Sequence, residues 1–210
     1  MTAILWRSIY WAWVAAEVVI AVATRTGKSG GKVRDRGSQL ILWMVIVVSV
    51  TACEWMRRIK PANMFGGAAW LKTASVVVLV AALAIRWTAV FTLGKSFSAN
   101  VAIRESQKMM RSGLYRMVRH PSYLGLLMVF VAIGIHSRNW SSFVVAIVPT
   151  TAALIYRIQV EEMALREAFG EEYVQYSRVT KGWFQECIEE SPKRALENVE
   201  DFFVALERRN

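Results

Sequence analysis

Residues 68–93 read AAWLKTASVVVLVAALAIRWTAVFTL. This run outlasts the roughly 20 residues that cross about 30 Å of hydrocarbon, so it is read as a membrane-spanning helix. Its charges are Lys72 near the start and Arg86 well inside. Working outward, Ala3–Ala23 and Leu40–Trp55 precede it as apolar runs, and Tyr123–Ile135 and Trp140–Ile158 follow. Composition agrees: 55% of the residues are hydrophobic and the mean hydropathy is +0.31, more apolar than a soluble domain of this length.

The last two runs are joined only by His136-Ser137-Arg138-Asn139, which makes them an antiparallel helical hairpin. The fourth run is short for a full crossing unless Pro121 starts its helix, a position that suits proline. Pro149 lies midway along the fifth. A kink is expected there, with the freed carbonyl taken by Thr150 or Thr151. Ala21-Val22-Ala23 looks like a signal-peptidase site, but Glu17 inside the run and a lone Arg7 before it favour an uncleaved helix.

The formal charge of +10 raises the question of nucleic acid. The charges instead lie between apolar runs, and no patch outside them mixes basic with aromatic residues, so no nucleic-acid partner is expected. Arg25 to Arg36, Lys95 to Arg119 and Arg166 to Arg209 are the richer basic segments. Five spans with the N-terminus outside place all three in the cytoplasm. Cys53 and Cys187 lack a CxxC partner, and His120 and His136 are the only histidines, so no metal site is expected. The GKSGGK segment at 27–32 lacks phosphate-loop spacing and is read as a flexible basic loop. After Ser191-Pro192, residues Ala195, Leu196, Val199, Phe202, Phe203 and Leu206 recur at three- and four-residue spacing, an amphipathic helix. The expected fold is therefore all-α: a polytopic membrane protein of about five transmembrane helices plus a cytoplasmic C-terminal helical region. Residues 1–67 would form the first two helices, 68–184 a core, and 185–210 the amphipathic tail.

Polar groups at membrane depth are costly and so mark candidate sites. Arg86 either snorkels to the cytoplasmic face or meets an anion in a cavity. The stretch Gly113-Leu-Tyr-Arg-Met-Val-Arg-His-Pro-Ser-Tyr-Leu-Gly125 is either an ordinary basic loop or an anion-binding helix start with Arg119 and His120 beside it. Arg157 and Glu161 are four residues apart and share a helix face, either as a surface ion pair or as a desolvated cation needing an anion.

Several motifs stand in order from Arg86 to Phe184: Arg86 with Phe91-Thr-Leu-Gly94 and Phe97, Gly113-Leu-Tyr115, Arg119-His-Pro-Ser-Tyr-Leu-Gly125, Arg157-Ile-Gln-Val-Glu-Glu162, and Phe169-Gly-Glu-Glu-Tyr173 with Tyr176. This half of the chain resembles the isoprenylcysteine carboxyl methyltransferase family, within the membrane methyltransferases that include phospholipid methyltransferases. The resemblance implies S-adenosylmethionine as cofactor, bound without a Rossmann domain. By position, it implies cofactor contacts at Gln107, Met109, Met110, Tyr115, His120, Pro121, Ser122, Tyr123 and Glu161. It implies that Arg157 holds the substrate carboxylate, that Arg86 adds to substrate binding, and that Arg157, Glu161 and Glu162 form the catalytic group, with Glu162 orienting Arg157. Gln107 departs from the family's usual histidine, Met109 and Met110 stand where Leu-Val is common, and Gln185 replaces a proline.

A carboxylate is ionised at pH 7 and needs no general base, which suits a chain with neither triad nor metal site. The expected partners are the bilayer and a lipophilic, prenylated-cysteine-like substrate, with the active site facing the cytoplasm. Two other functions compete: methylation of a phospholipid amine or thiol, which would need Glu162 or Tyr123 as base, and a non-catalytic membrane scaffold.

Overall fold

Each apolar run folds as a helix because only a helix pairs its own backbone N–H and C=O groups in hydrocarbon. The structure, a computed structural model, describes residues 2–23, 32–33, 37–59, 68–94, 97, 102–103, 109–180 and 182. Helices α1 (Thr2–Ala23), α2 (Ser38–Ile59) and α3 (Trp70–Leu93) have 22, 22 and 24 residues. At 1.5 Å per residue they are about 33 to 36 Å long, enough to cross. α4 (Pro121–Ser137) has 17 residues and α5 (Trp140–Phe169) has 30, so α4 is about 25 Å long and α5 about 45 Å. α1, α2, α3 and α5 are long and apolar enough to span; α4 is the shorter apolar helix.

Side-chain pairs fix the directions. Ser75 meets His136 and Arg86 meets Ser122, so α3 and α4 are antiparallel. Arg157 reaches Ser38 and Ser142 reaches the Cys53 carbonyl, so α2 and α5 are antiparallel. Trp6 stacks on His136 while Glu17 meets Arg86, so α1 runs parallel to α3. The five helices thus alternate in direction through one bundle, as the hairpin reading requires. Leu79, Ala82, Val129, Phe130 and Ala132 are fully buried at the α3–α4 contact. Large apolar side chains such as Ile4, Val22, Val48, Val77 and Phe91 point outward, as lipid-facing residues do.

Gly125 sets the closest approach. A Cβ there would lie 2.8 Å from the Arg86 amide nitrogen and 2.9 Å from the Ala82 carbonyl, so α3 and α4 cross backbone to backbone. Pro121 is the first residue of α4, as expected. The Asn139 side chain caps α5 by accepting from the Ser142 amide at 2.9 Å. α5 continues unbroken through Pro149. The Thr150 hydroxyl, expected to take the freed carbonyl, is buried without a hydrogen-bond partner among the described residues.

Two short strands, Lys32–Val33 (β1) and Ala102–Ile103 (β2), pair antiparallel and tie the α1–α2 connection to the one after α3. A 3-10 turn (Gly113–Arg116) precedes α4, and α6 (Glu171–Val179) follows α5 after Gly170. The tail helix expected over 185–210, the GKSGGK loop, Gln107 and Gln185 lie outside the described residues.

α1 packs on α3, and α2 packs on α5. Between α1 and α2 lies a cleft of about 200 Å³, lined by Trp13, Val14, Trp43, Ile46, Val47 and Leu126.

Candidate active site

The C-terminal ends of α1, α3 and α5 meet the N-terminal ends of α2 and α4. Here α5 delivers its polar residues by length alone. Arg157 lies about 26 Å along it and Glu162 about 33 Å, which spans the edge of a hydrocarbon core about 30 Å thick.

Arg157 is buried, 2% exposed. Its Nη1 donates to Ser38 Oγ at the start of α2, and its Nε donates to the Tyr123 hydroxyl at 3.2 Å. That hydroxyl in turn donates to Glu161 Oε2 at 2.6 Å. One phenol on α4 therefore links the two α5 residues expected to share a face. Next to them is a small opening of about 60 Å³ bordered by Glu17, Trp43, Phe97, Tyr123, Leu126 and Arg157. Glu17, Trp43, Ile46 and Leu126 also line the cleft between α1 and α2, so the opening continues into it.

Glu162 is turned the other way. Its Oε1 accepts from Arg119 Nη1 at 3.0 Å and lies 3.1 Å from His120 Nε2, and its Oε2 is 3.5 Å from Arg166 Nη2. It anchors the loop before α4 rather than orienting Arg157, a correction to the sequence reading. The physical reason is helical: neighbouring residues are rotated by about 100° around the axis, so Glu161 and Glu162 cannot face the same partner. The loop backbone is held from below. The Tyr176 hydroxyl donates to the Tyr115 carbonyl at 2.6 Å, and the Tyr115 hydroxyl to the Ala89 carbonyl at 3.4 Å. Burial pushes both phenols above their ordinary pKa, so both stay protonated and able to donate.

Arg86 does not snorkel: it is buried and borders the small opening beside Arg157. Its Nε and Nη2 meet the Glu17 carboxylate at 2.6 and 2.7 Å, and its Nη1 donates to Ser122 Oγ at 2.6 Å. Expected as a substrate contact, it borders that opening while its hydrogen bonds go to α1 and to the start of α4. A fork-on-fork pair of this kind is the strongest geometry open to the two groups. Trp13 Nε1 adds a third bond to Glu17 at 3.2 Å.

Tyr115, His120, Pro121, Ser122, Tyr123 and Glu161 thus gather around the start of α4, with His120 stacked on Tyr123 at 5.8 Å. Met109 and Met110 are half-buried just before the 3-10 turn. Pro121 has no amide hydrogen, and the Tyr123 and Leu124 amides point to the His120 carbonyl, so anion binding here falls mainly to side chains. Arg119 Nε, Arg119 Nη2 and the Tyr173 hydroxyl are buried without a hydrogen-bond partner among the described residues. Gly182 presses on this spot: a Cβ there would lie 2.1 Å from Arg119 Nη2.

Sequence reasoning missed Glu17, Ser38 and Gly182. Glu17 carried a signal, since a carboxylate inside an apolar run calls for a buried cation and Arg86 was available. Nothing in the sequence singles out Ser38 or Gly182.

Residues 75–167 match the sequence model of the isoprenylcysteine carboxyl methyltransferase (ICMT) family. Protein-S-isoprenylcysteine O-methyltransferase B of Arabidopsis thaliana is 33% identical over 116 residues, covering 54% of this chain and 59% of that protein. The Homo sapiens protein-S-isoprenylcysteine O-methyltransferase is 29% identical over 111 residues, 52% of this chain and 39% of that one. A solved structure of the eukaryotic intramembrane Ras methyltransferase ICMT superposes with a TM-score of 0.55 at 24% identity, over 66% of this chain and 50% of that chain. That likeness establishes the polytopic helical fold. The chain thus spans between about two-fifths and three-fifths of the length of these relatives. The resemblance read from the motifs is borne out: the chain is similar to this family over the segment that carries its candidate site.

Proposed function

We propose that this chain is an integral membrane, S-adenosylmethionine-dependent methyltransferase that esterifies the carboxylate of an S-isoprenylcysteine or similar lipophilic acid, with its active site toward the cytoplasm. The carrying observation is Arg157: a buried guanidinium at the hydrocarbon edge, beside an apolar cleft that opens between two helices. A lipid tail fits the cleft while a terminal carboxylate meets the guanidinium. The names of the relatives agree with this substrate class.

The residues present suit the cofactor. It carries cationic groups and a carboxylate at one end. Glu161 offers an anion, and the unpartnered N–H groups of Arg119 offer donors, both beside α4. When bound, the cofactor supplies a methyl group on a cationic sulfur. The chain's own work is positional. Arg157 holds one carboxylate oxygen so that the other faces the methyl carbon. Tyr123 fixes Arg157 and Glu161 relative to each other, and the Glu162–Arg119–His120 cluster holds the loop that closes the site. Transfer of that methyl to an ionised carboxylate would need no proton movement and would neutralise both charges, so no residue of the chain need act as a base. A dry site favours such a step.

Methylation of an amine would need a base. Glu162 is committed to Arg119, His120 and Arg166 and the Tyr123 proton to Glu161, which weighs against that route. The test is transfer of labelled methyl to N-acetyl-S-farnesylcysteine by purified protein. A base-labile ester is expected. Cofactor binding without ester would discard this acceptor, and absence of cofactor binding in folded protein would overturn the methyltransferase reading.

A further inference from the structure

At the end of the bundle remote from Arg157 lies a second cleft, of about 1210 Å³, which the proposed chemistry does not use. Four cations border it, each from a different part of the chain: Arg7 on α1, Arg58 on α2, Lys72 on α3, and Arg138 in the α4–α5 link. The single carboxylate on its wall, Glu54, accepts from Arg58 at 3.3 Å. Arg7, Lys72 and Arg138 have no carboxylate partner among the described residues, so the cleft carries excess positive charge. Arg138 Nε is a buried donor with no hydrogen-bond partner among them. Its backbone lies at φ 53°, the left-handed region, in a helix C-cap position where Gly or Asn would be unstrained. An arginine stands at this turn against local preference, an outlier that points to use.

The apolar surroundings narrow the anion's class. Tyr10, Trp11 and Val50 line both this cleft and the apolar cleft between α1 and α2, so one opens into the other. The site is also level with helix ends that carry exposed indoles, Trp55, Trp70 and Trp140, as at a membrane–water interface. An anionic head joined to a hydrocarbon chain matches both halves. A free inorganic anion would use only the first.

We propose that this cleft binds the headgroup phosphate of an anionic phospholipid, with one acyl chain laid against its own apolar wall at Tyr10, Trp11 and Val50, short of the groove assigned to the substrate tail. Basic pockets between transmembrane helices hold such headgroups elsewhere. This site does not depend on the methyl-transfer reading.

The test is native mass spectrometry of the full chain released from nanodiscs of phosphatidylcholine with phosphatidylglycerol. Wild type is expected to retain one phosphatidylglycerol in preference to phosphatidylcholine. Each cation removed weakens a surface anion contact roughly fivefold, so R7Q/K72Q is expected to retain it on the order of 25-fold less. R178Q, which removes an exposed charge at the opposite end, is expected to behave as wild type. Arg7 and Lys72 are solvent-exposed, and the thermal unfolding of each variant in neutral detergent confirms folding. Equal retention of both lipids, or undiminished retention by R7Q/K72Q, would overturn the proposal. Displacement of the lipid by millimolar inorganic phosphate or glycerol phosphate would also overturn it, in favour of a soluble-anion site.

Discussion

Arg157 has two roles that single substitutions separate. Replacing it with alanine removes the proposed carboxylate holder and is expected to lower methyl transfer about 10²–10³-fold, as loss of one preorganised donor does. R157K keeps the charge but not the planar fork, and is expected to recover only part of the rate. Single-turnover transfer to N-acetyl-S-farnesylcysteine measures both; wild-type rates in R157A and E161A together would remove these residues from the mechanism. The buried pair of Glu17 and Arg86 makes the opposite prediction, for stability. E17Q leaves a buried guanidinium without its anion and is expected to cost about 3–5 kcal/mol, while E17L/R86L is expected to cost less than E17Q, because neither charge is then stranded. Thermal unfolding in detergent distinguishes the two. At this scale the sequence showed what lies within one helix: the Arg157–Glu161 face follows from spacing alone. It did not show partners from other helices. Glu17 and Ser38 are placed by packing, and Glu162 by a one-residue rotation that spacing predicts only once its loop partners are known.

The helices hold the site through two glycines whose consequences differ. G125A would drive a methyl group into the α3 backbone, which cannot retreat as a side chain can. It is expected to cost about 1–3 kcal/mol and to part Ser122 from Arg86, lowering both melting temperature and cofactor affinity. Gly134 packs against Phe143 at the other end of α4. G134A is therefore expected to lower the melting temperature and leave the cofactor affinity of the folded protein unchanged. Calorimetry and cofactor titration on both variants check this; an equal loss of affinity would show that α4 shifts as a unit. The number and order of helices were legible because apolar runs are long. The boundaries were less so. The fifth run was ended at Ile158, where apolar residues thin out, yet α5 continues to Phe169. Glu, Met, Ala, Leu and Arg in that extension are good helix formers, and the first breaker is Gly170. The polar extension carries Glu161 and Glu162, so the misjudged boundary is the one that builds the site.

Across the whole molecule, the alternating directions put the candidate site around Arg157 and the basic cleft at opposite ends. Ser112 lies beside the candidate site and Trp140 at the other end, both exposed. With Cys53 and Cys187 replaced by alanine, S112C is expected to react with an impermeant maleimide only from the cytoplasm and W140C only from the opposite side. The reverse pattern would invert the proposed orientation. Loop charge is the ground for the proposed orientation, because Lys and Arg resist translocation. Charge counting could not predict that Arg7, Arg58, Lys72 and Arg138 converge, since convergence is a property of the assembled bundle.

The Glu17–Arg86 pair also bears on how the protein is made. The two residues are 69 positions apart, so at about 5–20 residues per second Glu17 leaves the ribosome several seconds before its counter-ion. During that interval the nascent first helix carries an unneutralised acid. Until the third helix is made, that acid has only Trp13 of its own helix among the bonds it makes in the folded bundle. Docking of the first helix on the third therefore waits on synthesis of the middle segment, where its counter-ion lies.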